Sequence, residues 1–322
     1  MYLTPLQSRA LLADAAEHRY AILAVNADSP ASVLDCLEAA SQCDAPLIIE
    51  TSLWQLTGRN FGAGDPFFGL ARYLELVRGL AESERFSQVP VILHTDHIKG
   101  PHTQRILQHA LTGFSTLSLD SSELTEEENV TMIRGLCDFA AQQNATVTLE
   151  MEAGVDDGLT PLETARSLLG AVEATHPGNL WLWAPGVGTR HGLAAGGYPS
   201  FSPDHVAAHA ALAREITGRP IGLALHGSSG LGETALREAV QAGAIKVNWS
   251  SESLLIRSGA ARDFYASHAE ELGKTHPKWK ETAMDNGLQT AIARTYIPRV
   301  RERIEALNGK GQASRFRKKL RD

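Results

Sequence analysis

The apolar run "VPVILHTDH" closes on His94, Asp96 and His97. A proline-opened run of branched apolar residues reads as a buried strand. Polar groups buried at its end need partners, which makes sense if the strand delivers a metal ligand and an acid/base group to a pocket. Two more histidines stand in the same setting, His191 in "GVGTRHG" and His226 in "RPIGLALHGSSG". A lone histidine is ordinarily a satisfied core or surface residue. His97, His191 and His226 read differently as a set, because each ends a strand beside small residues. Neutral imidazoles are good Zn²⁺ ligands, and three protein ligands leave a position for substrate. An ion held that way polarises a carbonyl as a Lewis acid. Asp96 is a candidate proton carrier, with strand alternation pointing its side chain away from that of His97. His94 is expected to orient a ligand by hydrogen bond. His102, His109, His205 and His209 fall on helices and read as structural or exposed.

The elements that must position these residues alternate along the chain. Strands are expected at about 21–26, 46–51, 90–95, 115–120, 146–151, 180–184, 220–225 and 244–249, separated by amphipathic helices. Eight such units without a linker predict an α/β fold, a (β/α)8 TIM barrel, as one domain over 1–322. It begins with an N-terminal helix and ends in a helical extension from about 250, with a basic, solvated tail, "SRFRKKLRD". No Gly-rich dinucleotide loop follows the first strand, which disfavours an open doubly wound sheet. In a barrel, sites lie at the carboxyl ends of the strands. The unusual polar residues fall there: Asn26, Ser52, Asp96, His97, Asp120, Glu150, Glu152, His191, His226 and Asn248.

Composition sets bounds on function. The 322 residues are 43% hydrophobic and 21% charged, with a net charge of −7, ordinary for a soluble enzyme and unlike a nucleic-acid binder. No apolar stretch is long enough to span a bilayer, and the start lacks a signal-peptide core. Cys36, Cys43 and Cys137 read as core thiols of a cytoplasmic protein. "HGSSG" opens a helix after the seventh strand, where backbone N–H groups with Ser228 and Ser229 suit a phosphate. "VNWSSES" brings Asn248, Ser250 and Ser251 to the same place after the eighth, a recurring phosphate position in barrels.

In these residues the chain resembles the class II, metal-dependent ketose-bisphosphate aldolases. The likeness runs in order through "AVNADSPASVLDCLEAA", "PVILHTDH", "GFSTLSLDSSELTEEENV", "TLEMEAG", "GTRHG", "LHGSSG" and "IKVNWSSE". It implies a barrel that forms a homodimer or homotetramer. It also implies zinc-dependent cleavage of a ketose phosphate to dihydroxyacetone phosphate and an aldehyde through a metal-stabilised enediolate. By position, His97, His191 and His226 resemble the zinc ligands and Asp96 the acid/base. Glu150, Glu152 and Asp120 resemble carboxylates near an alternative metal position. Another divalent ion in place of zinc, and a monovalent cation, are further expectations. Ser229, Asn248, Gly192, Gly227 and Gly230 resemble the dihydroxyacetone phosphate site. Lys278 of "HPKW" resembles a basic residue that reaches a distal phosphate. Asp157, with Asp156 behind it, is the expected loop carboxylate for the second proton.

Departures from the family pattern point to a changed substrate. Ser228 replaces a glycine, Glu50 a common glutamine, and Ile98 a small residue; Trp249 follows Asn248. The loop after His191 lacks a lysine, and "VDDGL" is shortened. A substrate other than ordinary fructose 1,6-bisphosphate is therefore expected, with one phosphate end still recognised. Two other functions fit part of the pattern. A metal-dependent ketose-phosphate epimerase or isomerase would use the same enediolate. A non-catalytic partner subunit would show a lost ligand or base, and none is missing.

Overall fold

The structure, a computed structural model, describes residues 1–100, 102–154, 158–193 and 200–321. Eight parallel strands close into a barrel in sequence order: β1 Ile22–Asn26, β2 Leu47–Thr51, β3 Val91–Ile98, β4 Thr116–Leu119, β5 Leu149–Ala153, β6 Leu180–Pro185, β7 Gly222–Leu225 and β8 Ala244–Trp249. All eight expected strands are present. β5 starts three residues later than expected. Arg9 reaches Val147 O and Thr148 Oγ1 at 2.6 and 2.9 Å, holding this stretch against the N-terminal helix. β3 runs on through His97 to Ile98.

Helices α1 Pro5–His18, α2 Pro30–Cys43, α3 Leu53–Thr57, α4 Pro66–Glu82, α5 Thr103–Ala110, α6 Glu126–Gln142, α7 Leu162–Thr175, α8 Pro203–Thr217 and α9 Glu233–Ala242 occupy the connections. Local signals set their starts. Thr4, Ser29 and Thr125 close capping boxes, and proline follows the first two as a pre-formed first turn.

The chain beyond β8 is more than an appendage. α10 Ser251–Ser267 buries only Ser253 and Arg257, and α11 Trp279–Ala283 continues this outlying arm. α12 Asp285–Ala306 packs against both α2 and α9 and so completes the ring of helices. The basic tail, expected to be solvated, forms α13 Gln312–Lys319 and docks. Phe316 is fully buried with Leu3, Leu11, Leu12 and Tyr20. Arg315 pairs with Asp14, and Lys319 reaches Asp14 and Glu17 at 3.4 and 3.2 Å. The tail's positive charge answers acids of α1, an intramolecular match invisible in local composition.

Along the barrel axis the interior changes character with the two-residue period of a strand. Ile22, Ile48, Ile92 and Leu182 join the apolar cluster at the lower end, beneath α1 and α13. Two residues on come Ala24, Glu50, His94 and Ala184, and two further on come Asn26, Ser52 and Asp96, all buried. The three cysteines are buried free thiols, as expected.

Candidate active site

The polar strand ends converge on a cavity of about 540 Å³ at the carboxyl end of the barrel. Asn26, Ser52, Asp96, His97, Asp120, Glu152, His191, Gly192, Gly227, Ser229, Asn248, Ser250 and Ser251 line it. His226 and Glu150 lie just beneath, fully buried and joined to it by hydrogen bonds.

Asp96 and His97 both face the cavity, against the expectation from alternation. The β3–β4 register explains this. Thr95 is opposite Leu117 and Ile98 opposite Leu119, so β3 carries one extra residue, with His97 at φ 48°. This β-bulge turns the second side chain back to the same face. A left-handed φ at a non-glycine residue costs on the order of 1 kcal/mol, which local packing must offset.

The three imidazoles meet. His97 Nε2 lies 2.7 Å from His226 Nδ1 and 2.9 Å from His191 Nε2. The other nitrogens of two rings are committed to carboxylates. His97 Nδ1 donates to Glu152 Oε2 at 2.8 Å and Asp120 Oδ2 at 3.1 Å, and His226 Nε2 donates to Glu150 Oε1 at 2.7 Å. The inner nitrogens therefore turn lone pairs toward one another, which repel unless a proton or a metal ion sits among them. Burial holds the pKa of His226 well below the ordinary histidine range, so that ring is neutral. Burial also opposes charge on His97, but the Glu152 and Asp96 carboxylates outweigh it and raise the pKa well above that range. The pocket thus attracts positive charge to its centre, and a divalent cation fits the donor set. His97, Asp120 and Glu152 form a second group with ligand atoms in mutual reach, as do Glu150, Glu152 and His226.

Asp96 is held by two amides: Asn26 Nδ2 donates to Oδ2 and Asn248 Nδ2 to Oδ1, each at 2.8 Å. Burial disfavours its charge, yet His97, Lys246 and the Asn26 hydrogen bond together keep its carboxyl below the usual range. It is an ionised, oriented base. Below it, Lys246 lies between Glu50 at 3.2 Å and Glu150 at 3.0 Å. Burial works against its charge, but Glu150, Glu50 and Asp96 raise its pKa. An ammonium held this way has no lone pair for Schiff-base formation. His94 is fully buried, with Nδ1 2.7 Å from Thr116 Oγ1; Nε2 lies 3.6 Å from Glu150 Oε2, too far for a hydrogen bond, so His94 does not orient a ligand by hydrogen bond as expected.

The β7 and β8 loops supply donors. Gly227 has φ 65°, and a Cβ there would lie 2.6 Å from Arg190 O, so the loop at His226 requires glycine. Ser250 and Ser251 bring the N-terminus of α10 to the cavity, where Ser250 does not cap it and Ser229 Oγ of the β7 loop accepts from Glu252 N at 3.3 Å. Gly230 does not line the cavity. Lys278 does not either; it stands on the arm, 4.0 Å from Glu271. Trp249 is buried, stacked 5.7 Å from Tyr296 and bonded to Glu252, and Ile98 is core, so neither residue meets substrate space. Asp156 and Asp157 lie outside the described residues. The sequence reading missed Lys99, Ser122, Glu123 and Trp54, all of which line the cavity. Lys99 had a usable signal, being two residues past His97 on the same strand-end loop.

This barrel, with histidines and carboxylates gathered at its carboxyl end, is that of an aldolase. A family model described as fructose-bisphosphate aldolase class-II matches residues 6–312, and the chain belongs to that family of carbon–carbon lyases. Among its relatives, a fructose-bisphosphate aldolase of Mycoplasma pneumoniae is 30% identical over 262 residues, 79% of this chain and 82% of that protein. One of Streptococcus pyogenes serotype M1 is 29% identical over 272 residues, 81% and 85% of the two chains. Of solved structures, the fructose-bisphosphate aldolase of Campylobacter jejuni superposes with a TM-score of 0.82 at 23% identity over 96% of each chain. The YdjI aldolase of Escherichia coli K12 gives 0.72 at 20%, over 97% of this chain and 100% of that one. At those identities the two structures show a shared fold.

Proposed function

We propose that the protein is a zinc-dependent aldolase that cleaves a ketose phosphate to dihydroxyacetone phosphate and an aldehyde. One observation carries the reading: three imidazole nitrogens converge beside an ionised carboxylate that is fixed by two amides. His97, His191 and His226 would hold the ion. When bound, it supplies Lewis-acid stabilisation for negative charge developing on the substrate's ketone oxygen. Glu152, Asp120 and Glu150 orient the rings through their outer nitrogens. Asp96 accepts the proton of the fourth-carbon hydroxyl as the bond between the third and fourth carbons breaks. Asp157 is the proposed donor of the proton that returns to the third carbon. The phosphate rests against Ser229, Ser250 and Ser251 at the start of α10, held by backbone N–H groups. Fixing that end orients the reacting carbons over the ion.

The substrate end beyond the cleaved bond is proposed to carry no phosphate. Among the described residues, Lys99 is the only lysine or arginine lining the cavity, and it is engaged by Glu123 at 2.6 Å and Asp120 at 3.7 Å. A second phosphate would need an uncommitted cation there, and the nearest candidate, Arg59 in the adjoining cavity, shares its walls with the Asp28 carboxylate, whose charge opposes an anion. The test joins metal analysis of the purified protein to a screen of ketose mono- and bisphosphates for aldehyde release. About one zinc per chain is expected, with release from a ketose 1-phosphate. Epimerised ketose without released aldehyde would overturn the aldol reading. A preference for fructose 1,6-bisphosphate at an efficiency of roughly 10⁴ M⁻¹s⁻¹ or more would overturn the single-phosphate reading.

A further inference from the structure

A second cavity, of about 480 Å³, adjoins the first at the β1, β2 and β8 loops. The two share Ser52, Trp54 and Ser250 as walls. Trp54 separates them, with 87% of its surface exposed, the largest value among the exposed large hydrophobic residues. Its position is set by the turn that begins α3, where Ser52 N donates to Gln55 Oε1 at 2.8 Å and Trp54 N donates to Ser52 Oγ at 3.3 Å. Across the second cavity stand Asp28, Arg59 and Asn60. Asn60 Nδ2 donates to Asp28 O at 2.8 Å, tying the β1 and β2 loops together. Arg59 makes no ion pair or side-chain hydrogen bond among the described residues. The Asp28 carboxylate is 41% exposed and has a cation only at 3.9 Å, the Nε of Arg257.

The direction of the substrate leads into this space. Its phosphate lies at the β7 and β8 loops and its cleaved bond lies beside Asp96, which Asn26 of β1 holds. The carbons past that bond therefore run over β1 and β2, toward Ser52 and Trp54. An indole face, a guanidinium, a carboxylate and a hydroxyl together offer an apolar platform with both donors and acceptors. The opposite charges of Arg59 and Asp28 disfavour a strongly anionic end, whereas hydroxyl groups satisfy both.

Resting on the aldolase reading above, we propose that Trp54 and Arg59 determine specificity for the aldehyde half of the substrate. They select an uncharged, polyhydroxylated chain that extends from the first cavity into the second. The ring packs against the carbon skeleton, while Arg59 donates to hydroxyl oxygens and Asp28 accepts from hydroxyl groups.

The test is aldol addition by zinc-loaded protein of dihydroxyacetone phosphate to three aldehydes: erythrose, butanal of the same carbon number, and glyceraldehyde 3-phosphate. Wild type is expected to favour erythrose over both others in kcat/KM. Trp54→Ala and Arg59→Ala should each lower the erythrose-to-butanal ratio by about tenfold or more, the scale of one lost specific contact. Zinc content and KM for dihydroxyacetone phosphate should stay at wild-type values, and Trp54→Phe should restore part of the ratio. An unchanged ratio in both alanine variants would overturn the assignment. A preference for glyceraldehyde 3-phosphate that depends on Arg59 would overturn it in favour of an anion site. A changed sedimentation coefficient for Trp54→Ala with an unaltered ratio would assign the ring to contact with a second copy. Failure of wild type to condense any of the three would instead overturn the aldolase reading, and this inference with it.

Discussion

The two ends of the barrel solve opposite problems with the same eight strands. At the lower end, Ile22, Ile48, Ile92 and Leu182 point inward and meet Leu3, Leu11, Leu12, Tyr20 and Phe316, an apolar plug closed by the first and last helices. At the upper end the inward positions are Asn26, Asp96, Glu152, His226 and Asn248, buried polar groups that need one another or a bound ion. Between them Lys246 bridges Glu50 and Glu150. Stability thus concentrates at one end and unsatisfied chemistry at the other, and substitutions should separate the two.

The largest effect is expected at the boundary. Lys246→Met would leave Glu50 and Glu150 buried without their cation, destabilising the fold by about 3–5 kcal/mol. Chemical denaturation measures this, and adding Glu50→Gln should recover part of the loss. If Lys246→Met keeps wild-type stability, the carboxylates are neutral and the pair is not ionic. At the lower end Phe316→Ala should cost about 3–5 kcal/mol while kcat/KM of the folded protein stays within a factor of two. A comparable loss of activity would show that the ends are coupled. At the upper end the order inverts. Asp96→Asn should lower turnover by roughly a hundredfold or more, with zinc content and denaturation midpoint preserved. Near-normal turnover would mean that another group takes the proton. The smallest effect belongs to the rim of the plug, where Lys319→Ala removes partly exposed pairs with Asp14 and Glu17 and should cost under about 1 kcal/mol. A larger loss would mean that the tail's charges, and not Phe316, anchor α13.

The same contrast explains what was legible in the sequence. All eight strands could be read because buried parallel strands are continuous apolar runs, and the polar residues that interrupt them mark the site end. The three histidines, Asp96 and the serine loops converge because strand ends of one barrel share a rim. The bulge at His97 could not be read, since a histidine in the left-handed region carries no pattern of its own. The docking of α13 depends on one phenylalanine and on acids some 300 positions earlier in the chain, outside any local window. Trp249 and Ile98 are core residues and not walls of the substrate space, since sequence adjacency to Asn248 and His97 says nothing about which way a side chain turns. Lys278 does not join the cavity because it stands on the arm that packs against α12, where it faces Glu271.

The central claim is that one ion sits among His97, His191 and His226. Anomalous diffraction at the zinc edge from zinc-loaded crystals tests it most directly. A single peak bonded to His97 Nε2, His226 Nδ1 and His191 Nε2 is the expected result, and it should vanish in His226→Ala. A peak bound instead by Glu50, His94 and Asp96, or an absence of any peak in protein that cleaves substrate with chelator present, would contradict the account.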